Sequence, residues 1–239
     1  MRSGEKAYFD RVAGSFDSGL NVYLKPVGAL RVQRRIALFE DYCSLRPGLR
    51  ILEIGCGTGE YSKALLKLGL SLLATDLSYN MLNIARQKVA GGKGIVFFVS
   101  DVDYLPVRGQ SLNLVLGNSI LHHLDVDNAL REIFRVLKKG GRLAFSEPNM
   151  LNPHIFLQKK VKFIKKLAGD SPNETAFCRW KLKKILKKNG FKNIFIKPFD
   201  FLHPYTPSTL VRAVNRAGLF LEKTPLKEIA GSLFITAEK

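Results

Sequence analysis

The chain has 239 residues, 46% of them hydrophobic and 24% charged, which suits an α/β domain with a full core. No apolar run approaches the ~18 residues that span a bilayer, and the first residues contain no apolar signal segment. The three cysteines are scattered without C-x-x-C spacing. We therefore expect a cytoplasmic protein with reduced thiols and no metal site.

The net charge of +18 is unevenly distributed along the chain. Residues 151–200 contain 13 Lys or Arg against 3 Asp or Glu. A polyanionic partner would account for this excess. A lysine-rich proteome would account for part of it as well, so charge alone leaves the partner open.

Hydrophobic periodicity predicts a helical segment within residues 1–28 and a stronger helix over residues 29–45. In the second helix, apolar residues that include Leu30, Ile36 and Phe39 lie on one side. The arginines Arg31, Arg34 and Arg35 lie on the other. This is the pattern of an amphipathic helix packed on a core.

Strands and helices then alternate. The predicted strands span residues 49–54, 70–75, 95–99, 112–116, 142–146, 191–199 and 231–237. The predicted helices span residues 61–68, 79–89, 125–138, 152–168, 179–188 and 210–217. This rhythm predicts a Rossmann-like, doubly wound α/β fold with a mostly parallel sheet and helices on both faces.

The first of these strands leads into a glycine-rich loop. Glu53 stands near the end of the strand, and Gly55, Gly57 and Gly59 follow before a helical pattern begins. A strand that opens through glycines into a helix presents bare backbone and free N–H groups to a ligand. The spacing is G-x-G-x-G instead of the dinucleotide G-x-G-x-x-G. Alternatively, the glycines only allow strand and helix to pack closely.

Polar side chains stand at the carboxyl ends of the first five strands, where ligands bind in such sheets. They are Glu53, Asp76, Asp101, Asn118 and Glu147. These mostly acidic residues disfavour a ligand that is rich in phosphate. They suit a ligand with hydroxyl groups, an amine and a positively charged centre. Asp76 is placed where a ribose-binding carboxylate is expected, and Leu77 can contact a flat base. We therefore expect a cationic nucleoside ligand. The alternative is that Asp76 and Asp101 cap helices or turns and that Asn118 forms a turn.

Several stretches carry a resemblance to a known family. They are residues 53–59 (EIGCGTG), 76–82 (DLSYNML), 101–102 (DV), 118–123 (NSILHH) and 135–142 (RVLKKGGR). Together they resemble the class I S-adenosylmethionine-dependent methyltransferases, particularly the small-molecule subgroup that includes the ubiquinone and menaquinone methyltransferases. The resemblance covers about residues 5–148.

The resemblance implies that S-adenosylmethionine, and its product S-adenosylhomocysteine, bind at the glycine loop and the strand ends. The implied cofactor-binding residues are Glu53, Gly55, Cys56, Gly57, Gly59, Asp76, Leu77, Met81, Asp101, Val102, Asn118 and Ser119. Glu53 would support the amino group, Asp76 would bind the ribose and Asp101 the adenine amine. Asn118 and Ser119 would lie beside the sulfonium. The resemblance also implies an antiparallel strand seven between strands five and six.

A catalytic base is needed only if the acceptor is a hydroxyl or an unactivated carbon. His122 and His123 follow strand four, near the expected acceptor, and Glu147 is a rival base. The alternative is that both histidines pack at a helix start and have no chemical role. His203 and Tyr205, further along the chain, can reach over the site.

Residues 155–168 (IFLQKKVKFIKKLA) predict an amphipathic basic helix with an apolar stripe of Leu157, Val161, Ile164 and Ala168. It has three interpretations. The favoured one is a cap with its apolar face on the site and its lysines in water. The second is a helix on an anionic membrane surface, which suits a lipid-like acceptor. The third is an RNA-binding face, which the scarcity of interleaved aromatic residues disfavours.

These observations predict one methyltransferase domain over residues 1–239. Its parts are an N-terminal helical lid (1–47), a cofactor-binding core (48–148), a basic helical cap and helix (149–190), and C-terminal strands (191–239) with an insertion at 202–230. The favoured function is methyl transfer to O or C of a small-molecule or lipid-like acceptor in the cytoplasm, with peripheral membrane contact as an option. The alternatives are an RNA methyltransferase and a cofactor-binding interaction module without turnover. We expect the lid aromatics Tyr8, Phe9, Phe16 and Tyr23 to order on cofactor binding. The sequence indicates no oligomeric state.

Overall fold

The computed structural model describes residues 3–16, 25–90, 92–161 and 175–239. The helices in these ranges are α1 (Ser3–Phe16), α2 (Pro26–Cys43), α3 (Glu60–Leu66), α4 (Tyr79–Lys88), α5 (Val126–Val136), α6 (Pro153–Lys160), α7 (Arg179–Lys188) and α8 (Val211–Leu221). The strands are β1 (Ile51–Ile54), β2 (Leu72–Asp76), β3 (Ile95–Val99), β4 (Leu112–Asn118), β5 (Leu137–Pro148), β6 (Lys192–Phe199) and β7 (Ser232–Glu238).

The strands form one seven-stranded sheet in the order β3-β2-β1-β4-β5-β7-β6. The pairs from β3 to β5 are all parallel, whereas β7 is antiparallel to both β5 and β6. The doubly wound fold class is therefore confirmed, including the insertion of the last strand that the resemblance implied. The strand order reverses between β1 and β4, and that switch point is where such sheets bind ligands.

Strand β1 is buried on both faces, which fixes the loop that follows it. Leu52 and Ile54 pack into one core cluster, which includes Ile133 of α5. Ile51 packs on the opposite side in a second cluster, which includes Phe39 of α2. A four-residue strand held in this way cannot shift without opening both layers, because a change of register would move every side chain to the other face.

Some element ends differ from the sequence prediction. Helix α5 ends at Val136, not at 138, and β5 begins at Leu137 instead of 142. The reason is pairing: Leu137 already lies opposite Leu112 of β4, and the chain passes through Gly140 at φ +74° without leaving the sheet. Helix α8 runs to Leu221, beyond the predicted end at 217.

The arginines of α2, which were predicted to lie opposite the apolar face of an amphipathic helix, do not form a solvent-exposed surface. Arg35 is only 2% exposed. Its Nη1 donates to Oδ2 of Asp200 at 2.9 Å, and Arg31 Nε donates to the same oxygen at 2.9 Å. Arg34 contacts Asp200 and Glu222. A buried carboxylate after β6 attracts these side chains inward, and amphipathic periodicity cannot report such a partner.

The predicted basic helix over 155–168 is described only to Val161; α6 ends at Lys160, and residues 162–174 lie outside the described residues. Where the stripe can be checked, it does not pack on the site as the favoured cap interpretation expected, because Leu157 is 51% and Val161 40% exposed. Tyr23 and the side chain of Phe16 also lie outside the description. Among the described residues, no helix combines the length and apolarity needed to cross a membrane.

Candidate functional site

A cavity of about 710 Å³ opens at the carboxyl ends of the strands. Two parts of its wall are chemically different. We call residues 55–57, 76–77, 101–102 and 118–119 the loop side, and Arg31, His154, Lys159 and His203 the basic rim. All four histidines of the sequence line the cavity: His154 and His203 belong to the basic rim, and His122 and His123 line another part of the wall.

The glycine loop is built from three residues in the left-handed region, with φ of +63° at Gly55, +52° at Gly57 and +80° at Gly59. A Cβ on Gly55 would lie 2.5 Å from Ile120 Cγ1, and one on Gly59 would lie 3.0 Å from Ala85 Cβ. A Cβ on Gly57 would meet nothing within 4 Å. Gly55 and Gly59 thus allow close packing, while Gly57 exposes backbone to the cavity.

Asp76, at the end of β2, ties the loop to α4. Its Oδ2 accepts a hydrogen bond from Gly57 N at 2.9 Å, and its Oδ1 accepts one from Ser78 N at 2.9 Å. Burial raises the pKa of this carboxyl, and the two backbone donors oppose that effect. Asp76 therefore acts as a turn cap and lines the cavity at the same time.

Asn118, at the end of β4, contributes a buried acceptor to the cavity. Its Oδ1 is buried and accepts no hydrogen bond from any described residue, while its Nδ2 donates to Ser119 Oγ at 3.3 Å. Ser119 adopts φ +53°, and its N donates to Ser146 O at 2.8 Å. A buried carbonyl oxygen without a donor is costly, and this one is satisfied if a ligand brings an N–H group to it.

Asp101 and Val102 complete the loop side beyond β3. Asp101 accepts a hydrogen bond from Asp103 N at 3.1 Å, so it caps a short 3₁₀ turn while also lining the cavity. Leu77, Cys56 and Met81 are apolar parts of the same cavity wall. Burial is the main cause that raises the pKa of the Cys56 thiol, so we expect Cys56 to be a neutral packing residue.

His122 and Glu147 form a buried pair at the ends of β4 and β5. His122 Nδ1 lies 2.6 Å from Glu147 Oε2, and the two side chains are 4% and 0% exposed. The other oxygen of Glu147 accepts hydrogen bonds from Ile120 N at 3.0 Å and Leu121 N at 2.9 Å. Because a carboxylate only accepts, Nδ1 carries the proton and donates a hydrogen bond to Glu147. This fixes the tautomer and the orientation of the ring.

Helix α1 covers the cavity beside these residues. Asp10 accepts a hydrogen bond from Asn80 N at 3.4 Å, and its carbonyl oxygen accepts one from Asn80 Nδ2 at 3.0 Å. Phe9 packs edge-on against His123 with ring centroids 5.4 Å apart. Glu5 Oε2 lies 3.7 Å from His123 Nδ1. Tyr8 also lines the cavity, so the described part of the predicted lid faces it.

The basic rim is assembled from three distant segments. Asn152 caps α6 by accepting from Ile155 N at 3.1 Å, which places His154 in the first turn. His203 follows β6, and its ring lies 4.7 Å from the ring of His154. Burial, then His154 and then Arg31 lower the pKa of His203. Asp200 holds Arg31 on the third segment, and the arginines keep the pKa of Asp200 at about 2 against the opposing effect of burial.

Comparisons with known proteins agree with this geometry. A family model described as a methyltransferase domain matches residues 52–145. A demethylmenaquinone methyltransferase of Lactobacillus johnsonii is 30% identical over 210 residues, which cover 79% of this chain and 84% of that protein. This chain belongs to the S-adenosylmethionine-dependent methyltransferases.

Two further relatives differ in how much of them is matched. An uncharacterised protein of Methanocaldococcus jannaschii is 29% identical to this methyltransferase over the whole chain and 92% of that protein. A malonyl-acyl-carrier-protein O-methyltransferase of Yersinia pestis is 31% identical over 59% of this chain. The match spans only about half of that protein's own length, 48%. A solved methyltransferase of Thermotoga maritima, described as a possible histamine N-methyltransferase, has a TM-score of 0.68 at 21% identity and covers 98% of this chain and 99% of that one. The last comparison shows the fold alone.

The protein is an enzyme that uses S-adenosylmethionine as its methyl donor. Its loop side fits this cofactor on three observations. The unsatisfied Asn118 Oδ1 suits the ammonium group. The Asp76 carboxylate lines the cavity, where it could accept from hydroxyl groups, and the space at Gly57 leaves bare backbone open to a ligand.

The structure brings most of the predicted site residues together. The cavity wall includes Gly55, Cys56, Gly57, Asp76, Leu77, Met81, Asp101, Val102, Asn118, Ser119, His122 and His123. Glu53, Gly59 and Glu147 lie behind it. Glu53 is buried and accepts from Ser62 Oγ at 2.6 Å, and burial raises its pKa to about 8. Tyr205 is 75% exposed and lies outside the wall, whereas His203 lines it.

Sequence reasoning missed Arg31 and Asp200 as site residues. A signal for Asp200 existed, because it directly follows β6, and β6 runs parallel to β5. The rule that polar residues at carboxyl ends of strands face the ligand therefore applies to strand six as well. Arg31 carried no comparable local signal, because its role depends on Asp200, which lies 169 positions away.

Proposed function

We propose that this methyltransferase transfers a methyl group to O or C of a small-molecule or lipid-like acceptor that must lose a proton, with His122 as the base. The observation that carries the proposal is the 2.6 Å contact between His122 Nδ1 and Glu147 Oε2 at the cavity wall. An acceptor that is already nucleophilic, such as an amine, needs alignment but no such pair.

Glu147 is suited to a positioning role. Its three hydrogen bonds, from Ile120 N, Leu121 N and His122 Nδ1, orient it towards the ring, and it does not line the cavity. It leaves Nε2 of His122 as the basic nitrogen and stabilises the imidazolium that forms when the base takes a proton. His123 contacts Phe9 and lies near Glu5, and its place in the proposal is packing beneath α1.

S-adenosylmethionine, when bound, supplies a methyl group activated by a sulfonium. The chain's own contribution is to hold the reactants in line, which can supply ~7–11 kcal/mol of the barrier. Asn118, Asp76 and Asp101 would hold the cofactor, while α1 covers the cavity and limits the access of water.

A lipid-like acceptor is supported by the surface of α6. None of the α6 residues is buried, and Phe156 and Leu157 are 47% and 51% exposed next to cavity-lining Ile155. Exposed apolar side chains next to a cavity-lining residue suit an apolar substrate or the membrane that carries it. The relatives are named for demethylmenaquinone and for malonyl-acyl-carrier protein, which are compatible with C and O acceptors respectively.

The test begins by finding the acceptor pool, through tritiated methyl transfer into lipid, small-molecule and RNA fractions of a cell extract. Label in the lipid or small-molecule fraction is the expected result, and label in RNA alone would overturn the proposed acceptor class. With a labelled acceptor fraction in hand, His122→Asn should lower kcat by about 10²–10⁴ without changing the Kd of S-adenosylhomocysteine.

His123→Asn is the matched control, because it removes the adjacent imidazole from the same cavity. It should reduce kcat much less, since its nearest carboxylate, Glu5, lies 3.7 Å away. Glu147→Gln should shift the pH–rate profile, because the ring loses the charge that stabilises its protonated form. A His122→Asn variant with the wild-type rate would contradict the assignment of the base.

A further inference from the structure

The basic rim is the part of the cavity that methyl transfer itself does not require. Arg31, His154, Lys159 and His203 line it, while the acidic groups of the cavity other than Asp200 lie on the loop side, on α1 and at the start of α3. The carboxylate nearest to the rim, Asp200, is already engaged: it binds Arg31, Arg34 and Arg35 and accepts from Leu202 N at 3.1 Å. The arginine cluster that includes Arg31 shares only two carboxylates, Asp200 and Glu222, so it keeps a net positive charge beside the cavity.

Arg31 differs from its two neighbours in the nitrogens that it leaves for a ligand. Arg35 uses its guanidinium on Asp200, Ser146 and Ser232. Arg34 uses its terminal nitrogens on Asp200 and Glu222.

Arg31 binds Asp200 only through Nε, at 2.9 Å, and neither of its terminal nitrogens has a hydrogen-bond partner among the described residues. One edge of the guanidinium is thus fixed by a buried carboxylate, its terminal nitrogens are left for a ligand, and the residue lines the cavity. This is how an arginine is preorganised to receive two oxygens in parallel.

The imidazoles of His154 and His203 extend the same surface. Their rings touch edge to face, and His203 Nδ1 accepts from Tyr205 N at 3.2 Å. The groups that interact with His203 are His154 from α6, Arg31 from α2 and Tyr205 from its own segment, and Lys159 and the engaged Asp200 line the same cavity. A cation would be repelled here, whereas an anionic oxygen would gain hydrogen bonds and relieve the mutual repulsion.

We propose that the methyl acceptor carries an anionic oxygen group, a carboxylate or a phosphate monoester, which Arg31 binds at the basic rim with His154 and His203. The reacting atom then lies deeper in the cavity, towards His122, and the charged group stays near solvent. Asp200 is the positioning residue for Arg31. This inference rests on the proposed function, because it describes the acceptor of the same site.

The test is a binding measurement that involves no methyl transfer. Protein with ¹³C-labelled histidine rings is titrated by NMR with inorganic phosphate and, separately, with acetate, at constant ionic strength. We expect the His203 and His154 signals to shift saturably with at least one anion, and the pKa of His203 to rise when that anion is bound. Saturation with phosphate alone assigns a phosphate monoester, and saturation with acetate alone assigns a carboxylate.

Arg31→Met should weaken the anion by at least tenfold, the loss expected for a charge-assisted hydrogen bond. Arg34→Met is the matched control, because Arg34 belongs to the same ion cluster and carries the same charge but does not line the cavity. The Arg34→Met variant should bind the anion as the wild type does. Circular dichroism shows whether each variant is folded, and His203→Asn gives a second, independent loss of binding if Arg31→Met unfolds.

Two results would overturn the inference: no saturable shift with either anion, or equal binding by the wild type and Arg31→Met. The outcome is separable from that of the proposed function. A His122→Asn variant that is still active would refute the assignment of His122 as the base without affecting the proposal of anion binding at the rim. Absence of anion binding would remove the rim proposal without touching the His122–Glu147 pair.

Discussion

The loop side and the basic rim face the same cavity, yet their charged residues are held in opposite ways. On and behind the loop side, burial dominates for two carboxyl groups near the ends of buried strands: the pKa of Asp76 is raised, and that of Glu53, behind the wall, rises to about 8. At the rim, Asp200 is equally buried but surrounded by arginines, and its pKa falls to about 2. Carboxyl groups of similar chemistry are shifted in opposite directions because one lacks cationic partners and the other has several.

This difference also separates what each region contributes. The loop side is fixed by the backbone, through left-handed glycines and hydrogen bonds such as the one from Gly57 N to Asp76. The rim is fixed by side chains, through an ion cluster that joins α2 to the end of β6. Perturbing Asp200 should therefore affect the fold and the rim together, while the loop side can be altered locally.

The largest effect is expected for Asp200→Asn. Removing the carboxylate leaves Arg31, Arg34 and Arg35 close together without their shared partner, and breaking a buried ion pair on one side costs about 3–5 kcal/mol. The free energy of unfolding from urea denaturation should fall by that amount. Folded protein at low temperature should still bind S-adenosylhomocysteine, because the loop side is untouched.

Asp127→Asn is the control for this change. Asp127 also pairs with a cation, Lys188 at 3.1 Å, but on the surface, so its loss should change stability little. The acid side of the curve of unfolding free energy against pH gives a second measure of what Asp200 contributes. The contribution of Asp200 to the stability of the wild type, about 2–3 kcal/mol, should be lost as the pH falls from about 5 to about 1, since the folded pKa of Asp200, about 2, lies below the unfolded one. Asp200→Asn should lack this loss, and an unchanged acid side of the curve would contradict the assignment.

The loop side and the basic rim also differ in how well the sequence predicts them. The loop side could be predicted because its residues stand in short local motifs: the glycine spacing and the strand-end positions of Asp76, Asp101 and Asn118 are visible without any contact being known. The sheet order also followed, through the alternation of elements and the family resemblance.

The rim could not be predicted in the same way. Arg31 binds Asp200 across 169 positions, and the periodicity of α2 placed the arginines opposite the apolar face. The face of the lysine-rich α6 that covers the site could not be predicted, for a related reason. Its apolar residues Leu157 and Val161 are exposed, while His154 and Lys159 line the cavity, so the pattern did not show which face is covered.

Glu53→Gln should give the second largest effect, with the opposite sign. A carboxyl whose folded pKa is about 8 costs stability as pH rises from the unfolded value near 4.5 up to about 8. Glutamine has no such cost, so the variant should be about 3 kcal/mol more stable than the wild type at pH 7 and equally stable at pH 4. Parallel pH–stability curves for the two proteins would show that Glu53 is ionised in the fold.

Gly55→Ala should break the loop side by sterics alone. The added methyl group would combine a left-handed backbone, which costs about 1–2 kcal/mol, with overlap against Ile120 Cγ1 at 2.5 Å. We expect a total loss of about 2–4 kcal/mol in the free energy of unfolding. Gly69→Ala is the control, because Gly69 has a similar φ of +71° but nothing within 4 Å of the new Cβ. Equal losses in the two variants would mean that Ile120 moves freely.

Asn118→Ala should have the smallest effect, and its direction distinguishes a binding residue from a structural one. Oδ1 of Asn118 accepts no hydrogen bond from any described residue, so truncation should leave thermal stability unchanged or slightly higher. If the oxygen binds the cofactor ammonium, the same truncation removes a charge-assisted hydrogen bond worth about 1.5–3 kcal/mol, which is roughly a 10- to 150-fold rise in the Kd of S-adenosylhomocysteine measured by calorimetry. Lower stability with unchanged affinity would instead assign Asn118 to the turn between β4 and the histidines.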